Sequence, residues 1–298
     1  MTRASGASRK ILLLGARGML GCELADRLIA RAGRDELAEV TCWDRKELDI
    51  RDRDAVLAAL TELRCDVVIN AAGFTNVDAC EQETDEAFAV NAEAPGHLAV
   101  ACRELDARLV HVSTDFVFDG AAQRPYRPDD PAHPLSAYGR SKWQGERAIA
   151  AVECAHLIVR TSWLYGPRGR NFVEAILAQA EKGGPLRVVD DQIGRPTLAG
   201  DLADALLGLL DADAEGTLHF ANGGVCSWHG FAERIVAEAG LSVAVEKITS
   251  AELDRPAPRP VFSVLDTTEY EQLTGHVPDH WEKALSRYFR QRMVAAKT

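Results

Sequence analysis

Apolar and polar positions alternate along the chain in two distinct rhythms. Short continuous apolar runs occur at residues 11–14 (ILLL), 39–43 (EVTCW), 67–70 (VVIN), 108–112 (RLVHV) and 156–160 (HLIVR). Between them, apolar side chains recur at three- and four-residue spacing: Leu20, Leu24 and Leu28, then Val56, Leu60 and Leu63 in residues 52–63. The first rhythm predicts buried strands and the second amphipathic helices. A further helix is expected from near Glu81, carrying Phe88 and Val90, and another over 95–105 with Pro95 in its first turn. Asn91 interrupts that apolar face, and a buried amide needs partners, as a bridge between backbone segments or as part of an active site. A helix from about Ser136 precedes the 156–160 strand. One beginning at Phe172, Ile176 and Leu177 and ending at Gly183-Gly184 follows it. LRVV at 186–189 is expected as a sixth strand, and Thr197 as the N-cap of a helix through Leu198, Leu202, Leu206 and Leu210. Beyond residue 216 the pieces shorten: a strand in GTLHFAN, a helix capped by Ser227, an extended run at 243–248, a proline-rich connection with Arg255 and Arg259, and an amphipathic helix over 281–290.

Strands alternating with helices predict an α/β fold on a parallel sheet. The first turn refines this. Gly15, Gly18 and Gly21 follow the first strand at once and open the first helix, in GxxGxxG spacing. Such a turn presents backbone N–H groups and the positive end of a helix to an anion, here the pyrophosphate of a dinucleotide. The expectation is therefore a Rossmann-type doubly wound parallel sheet with a smaller C-terminal substrate-binding lobe. Residues 10–165 form the NAD(P)-binding core and 166–298 mostly the lobe, with 186–212 returning to the core. The second strand ends at Asp44-Arg45-Lys46. A carboxylate there suits the ribose 2′-hydroxyl of NAD and the basic residues suit the 2′-phosphate of NADP, so the choice stays open.

Ser113-Thr114-Asp115 stands at the carboxyl end of the fourth strand, where open α/β sheets bind ligands. Tyr138 and Lys142 lie four residues apart on one face of the next helix. A nearby ammonium favours a phenolate, so Lys142 is expected to lower the Tyr138 pKa while Thr114 or Ser113 shares a carbonyl oxygen with the phenol. Trp163 and Tyr165, at the end of the fifth strand, are expected to face the same crevice. The proline-broken stretch from Gln123 to Pro134 is a candidate lid or substrate wall.

Charge and composition narrow the classes. Of 298 residues, 34 are Lys or Arg and 45 Asp or Glu, a formal charge of -11 that disfavours a nucleic-acid surface but allows a local cationic pocket. No apolar run is long enough for a membrane span. Seven scattered cysteines without a CxxC argue against a disulfide scaffold or zinc site and place the chain in the cytoplasm. The first ten residues read as a leader without the apolar stretch of a signal peptide.

The strings GARGMLG, LDI, VVINAAGFTNVDACE, VNAEAP, VSTDFVFDG, YGRSKWQGE, RTSWLYG, DQIGRPT and RPAPRPVFSVLDT together resemble the extended short-chain dehydrogenases/reductases, and within them the dTDP-4-dehydrorhamnose reductase family. The resemblance implies reduction, by NADPH or NADH, of the C4 keto group of a dTDP-4-keto-6-deoxyhexose. It implies Thr114, Tyr138 and Lys142 as the catalytic set. It puts Gly15, Arg17, Gly18, Met19, Leu20, Asp44, Arg45, Lys46, Asp49, Ile50, Ala71, Ala72 and Gly73 on the cofactor, with Tyr138 and Lys142. It puts Thr75, Val77, Thr114, Phe116, Trp163, Asn171 and Arg195 on the sugar nucleotide. Phe116 stands where the family often has tyrosine and Gly73 where alanine is more usual, which leaves a different hexose open. A non-catalytic regulatory subunit on this fold would lack the tyrosine or lysine that this chain keeps. The resemblance also allows a homodimer and a magnesium ion, neither assigned to residues.

Overall fold

The computed structural model describes residues 9–35 and 38–295. The leader expected over the first ten residues lies outside them except for Arg9 and Lys10. Six parallel strands form the central sheet: β1 (Arg9–Leu14), β2 (Ala38–Trp43), β3 (Val67–Asn70), β4 (Arg108–Thr114), β5 (His156–Thr161) and a last strand, Gly216–His219. Their spatial order is β2, β1, β3, β4, β5 and then Gly216–His219. The chain starts in the middle of the sheet and builds outward in both directions, so the order reverses between β1 and β3. A crevice opens at the carboxyl ends of strands at such a switch point.

Both faces of the sheet are covered. Helix α1 (Met19–Asp35) lies on one face, and Leu20, Leu24 and Leu28 pack with Leu13, Ile69 and Val159. On the other face α2 (Arg53–Leu63) buries Val56 and Leu60 beside Leu12, Leu98 and Ile158. Asp52 caps α2 by accepting from the Ala55 N–H at 3.0 Å. The helix expected near Glu81 begins earlier, as α3 (Val77–Gln82) capped by Asn76. Next come α4 (Thr84–Phe88), one π turn over Ala89–Glu93, and α5 (Ala94–Glu104), with Pro95 in its first turn as expected. Asn91 sits in the π turn and is a bridge. It accepts from the Phe74 N–H at 2.9 Å and donates to Phe74 O at 2.9 Å and Ser141 Oγ at 3.1 Å, tying the loop after β3 to α6 (Ala137–Ala150).

The strand expected at 186–189 forms, but it is not the sixth strand of the sheet. Leu186–Val189 pairs in parallel with Val245–Ile248, away from the central sheet. The place beside β5 goes to Gly216–His219 because helix α8 (Ala199–Asp211) provides the crossover that a parallel neighbour requires, burying Leu202, Leu206 and Leu210 in the core that α1 also fills. Thr197 does not cap α8: it lies in a two-residue strand, Thr197–Leu198, paired with Leu164–Tyr165. A third core gathers Ile176 and Leu177 of α7 (Phe172–Ala180), Phe231 and Ile235 of α9 (Trp228–Glu238), and Trp281, Leu285 and Tyr288 of the last helix, Trp281–Ala295. Tyr165 is fully buried there against Phe231 and Tyr288, so it does not face the crevice. The 123–134 stretch is fastened to the C-terminal part: Tyr126 N–H donates to Val264 O at 2.8 Å, and Asp266 N–H to Tyr126 O at 2.7 Å. Among the described residues no helix is long and apolar enough to cross a membrane, and no cluster of His, Cys, Asp and Glu could hold a metal.

Candidate active site

The glycine turn sits at the switch point. Gly15 has φ +76°, and a Cβ there would lie 2.7 Å from Ala72 N. At Gly21 a Cβ would lie 2.0 Å from Gly15 O, so helix α1 can start this close to the turn only without a side chain. A cavity of about 420 Å³ opens over it, lined by Leu14, Gly15, Gly18, Asp44, Arg45, Leu48, Asp49, Ile50 and Ala71 to Phe74. Of the residues expected on the cofactor, these are brought together; Met19, Lys46, Tyr138 and Lys142 are not in its lining, and Leu20 is buried in the core beneath α1. Arg17 stands at the rim, its Nε 2.9 Å from Asp44 Oδ2, with a second contact to Glu47 at 3.3 Å. Asp44 is held below the usual carboxylate range, first by the Lys46 N–H and then by its other neighbours. Arg51, which spacing did not single out, clamps Asp49 and reaches Glu86 at 2.6 Å. It holds the Asp49 carboxyl at about 2. Glycines that admit no Cβ, a helix N-terminus and a paired carboxylate at the strand end fit a dinucleotide.

A second cavity, of about 670 Å³, lies among α7, α9 and the segment after residue 248. Phe116, Trp163, Asn171 and Trp228 line it. Trp163 and Trp228 stack with centroids 3.6 Å apart and planes at 7°. Its charged lining is unequal: Arg170, Arg187, Arg255 and Arg259 against Glu252. Burial and the neighbouring Arg259 lower the Arg255 pKa, while Arg259 itself donates to Asp78 at 2.9 Å and so joins this wall to α3. Asn171 also caps α7, accepting from the Glu174 N–H at 3.1 Å. Of the residues expected on the sugar, Phe116, Trp163 and Asn171 are brought together here. Thr75 is exposed and outside the lining, Val77 packs beneath it with Tyr138, and Arg195 lies apart, reaching Thr267. Trp228 and the arginines were beyond sequence reasoning because they come from segments with no shared spacing; the proline-rich string around Arg255 and Arg259 was the only signal.

Between the two cavities stands a small cluster of Tyr138, Ala137, Cys80 and Ala87, packed against Phe74 on the first side and Phe116 on the second. Ser136 caps α6, and Gly139 lets the helix meet the turn after β4, since a Cβ there would lie 2.2 Å from Phe116 O. The docking sets the Tyr138 hydroxyl beside Thr114, whose hydroxyl works to lower the phenol pKa. Phe116 meets the phenol edge-on at 5.5 Å. Thr114 donates to Asp115 Oδ1 at 3.1 Å.

The electrostatics differ from the expected pattern. The Tyr138 pKa is raised, above all by burial, with the Asp115 carboxylate adding to it. Lys142 does not lower it, because its Nζ is turned to β4, bonded to Val112 O at 2.7 Å and His111 Nε2 at 3.1 Å. Burial pushes Lys142 itself down to about 8 against the attraction of Glu146. Asp115 is pushed up to about 7 by burial, opposed by the hydroxyls of Ser263 and Thr114. A phenol so placed holds its proton, as a donor to a developing alkoxide must.

The family described as the RmlD substrate binding domain matches residues 9–294. The chain belongs to this family. An RmlD-type relative, the dTDP-4-dehydrorhamnose reductase of Mycobacterium tuberculosis, is 43% identical over 290 residues, covering 95% of this chain and 93% of its own. A spore coat polysaccharide biosynthesis protein of Bacillus subtilis is 41% identical over 286 residues, with 96% and 99% covered. Among solved structures, the dTDP-4-dehydrorhamnose reductase of Bacillus anthracis in complex with NADP superposes with a TM-score of 0.90 at 34% identity, covering 95% of this chain and 99% of that one. The RmlD match runs through both cavities and the cluster between them.

Proposed function

We propose that this chain is a cytoplasmic NAD(P)H-dependent reductase of the C4 keto group of a nucleotide-activated 4-keto-6-deoxyhexose, with dTDP-4-dehydro-L-rhamnose as the substrate and dTDP-L-rhamnose as the product. The observation that carries the reading is the make-up of the second cavity beside the buried phenol. Four arginines, of which Arg187 is paired with Glu252 and Arg259 with Asp78, suit a diphosphate, and stacked indoles with Phe116 suit a base and a deoxyhexose. The reductase relatives, one of them with NADP bound, support it.

In this reading, residues 10–165 hold the cofactor and 166–298 mostly the sugar nucleotide. The N–H groups around Gly15 and Gly18 cradle the pyrophosphate. Asp44 takes the adenosine ribose, Arg17 and Arg45 are available to a 2′-phosphate, and Asp49, Ile50 and Ala71–Gly73 line the rest. Bound NAD(P)H supplies the hydride that reaches C4. Tyr138 gives its phenolic proton to the sugar O4 as negative charge grows there, and the Thr114 hydroxyl steadies the same oxygen. Lys142 orients the nicotinamide ribose. Phe116 and Trp163 exclude water from the reacting carbon.

The test is a panel of dTDP-4-keto-6-deoxyhexoses, with and without a 3,5-epimerase, followed by oxidation of NADPH and NADH separately, with NADPH expected ahead. Turnover that depends on the epimerase supports the L-rhamnose route; turnover without it points to another hexose, the reading Phe116 would favour. Tyr138→Phe should still bind cofactor and lose roughly 10²–10⁴-fold in turnover. Near-normal turnover in that variant would sink the assignment.

A further inference from the structure

One chain of hydrogen bonds runs from the first cavity to Lys142. The Ala72 N–H donates to Asn70 Oδ1 at 3.1 Å, Asn70 Nδ2 lies 3.1 Å from His111 Nδ1, and His111 Nε2 lies 3.1 Å from Lys142 Nζ. Lys142 donates onward to Val112 O at 2.7 Å. Asn70 and His111 are fully buried and Lys142 almost so. A backbone N–H can only donate, so it fixes Asn70 with Oδ1 toward Ala72 and the NH₂ group toward His111. His111 Nδ1 must then accept. Burial holds the imidazole neutral, with its pKa well below the ordinary value, so its one proton sits on Nε2. That N–H points at Lys142 Nζ, and an ammonium, which has no lone pair, cannot receive it.

We propose that the Asn70–His111 pair favours the neutral amine of Lys142 over its ammonium while the cofactor is absent, and that NAD(P)H binding draws a proton onto Lys142. The inference rests on the proposed contact between Lys142 and the nicotinamide ribose. Turning from the Nε2–H to ribose hydroxyls, which can accept, removes the obstacle to an ammonium, and the pyrophosphate adds negative charge to the crevice. The groups around the amine agree. From β4 it meets His111 and the Val112 carbonyl, and from β3 the Asn70 amide behind the imidazole. On its own helix Glu146 favours the charge, but that carboxylate is already engaged by Arg160 of β5 at 2.7 Å and by Ser113. Tyr138, also on α6, keeps its proton. Burial dominates, and Lys142 sits at about 8. His111 is thus a positioning residue whose tautomer acts beside burial to favour the uncharged form of its neighbour.

The test is calorimetry of NADH and NADPH binding to the whole protein in buffers of different ionisation enthalpy, which reads protons exchanged independently of turnover. The expected uptake is about half a proton or more per cofactor near pH 8.5 and close to none near pH 6.5. Lys142→Met should bind with no uptake. His111→Gln, whose carboxamide oxygen can accept from an ammonium, should raise the charged fraction of Lys142 at rest and take up measurably fewer protons near pH 8.5 than the wild type. Binding without uptake at either pH, or undiminished uptake in Lys142→Met, overturns the inference while leaving the cofactor assignment in place. Full uptake in His111→Gln overturns the role of His111. If neither cofactor binds the wild-type protein, the functional reading fails and takes this inference with it.

Discussion

Removing Glu146 tests how the site is held in place. Its carboxylate and the Arg160 guanidinium are 2% and 3% exposed and meet at 2.7, 3.0 and 3.2 Å, joining α6 to β5. Arg160 also donates to Pro128 O at 3.1 Å and lies over the rings of Phe118 and Trp143, so it cannot swing out to water without giving up those contacts. In Glu146→Ala an uncompensated cation is left inside, a loss of about 3–5 kcal/mol. For 298 residues the unfolding entropy is about 0.6 kcal/mol/K, so the midpoint should fall by roughly 5–8 °C. Removing both charges, as Glu146→Leu with Arg160→Met, should restore part of it. The shortfall should be about 1–3 kcal/mol for the Pro128 carbonyl left without its donor. The assay is thermal unfolding by circular dichroism at fixed protein concentration, without cofactor. A single variant within about 2 °C of the wild type would refute the reasoning. So would a double variant less stable than the single, since the pair would then be worth more than the cation's isolation.

Two further outcomes follow from the site. The Asp115 carboxyl rises from 3.8 to about 7 in the fold, so its contribution to stability is complete below the unfolded value and lost as pH climbs through about 7. The wild-type midpoint should therefore fall relative to Asp115→Asn between those values, and a difference that does not vary with pH would count against the assignment. Gly21→Ala drives a methyl to 2.0 Å from Gly15 O, where only backbone could yield. It should cost about 1–3 kcal/mol or more and weaken NADH and NADPH binding at least about tenfold in a fluorescence titration; unchanged affinity would mean that the turn is not the cradle.

Periodicity alone made most of the sheet legible, because β1, β3, β4 and β5 are buried on both faces and read as continuous apolar runs. It failed at 186–189, since LRVV has the same local pattern whether it joins a large sheet or pairs with Val245–Ile248. Partner choice is a long-range fact, decided here by α8 packing beside α1. The glycine turn, Thr114, Tyr138 and the Asn171 wall were visible because each sits at a strand end or helix start. Trp228, stacked on Trp163, was not, for it comes from 65 residues further on through a helix face with no special spacing. The Asn70–His111–Lys142 chain escaped for a related reason. Asn70 and His111 lie in adjacent strands in register, and nothing in either string alone says that they face each other.

Burial also decides which way the chemistry is poised. Around the proposed C4 position three groups have shifted toward their uncharged forms: Tyr138 and Asp115 hold their protons more tightly, and Lys142 gives its proton up more readily. Desolvation is the first cause in each case, so one geometric fact governs all three. A phenol that keeps its proton can deliver it to an alkoxide forming on a reduced ketone. The reverse reaction would need the phenolate as base, and burial together with the Asp115 charge makes that form scarce near neutral pH. Lys142 turned toward His111 does nothing to supply it. In the proposed mechanism, the cluster that separates the two cavities therefore favours ketone reduction over alcohol oxidation before any cofactor arrives. Bringing the phenolate within reach would require Lys142 to gain a charge and turn from β4.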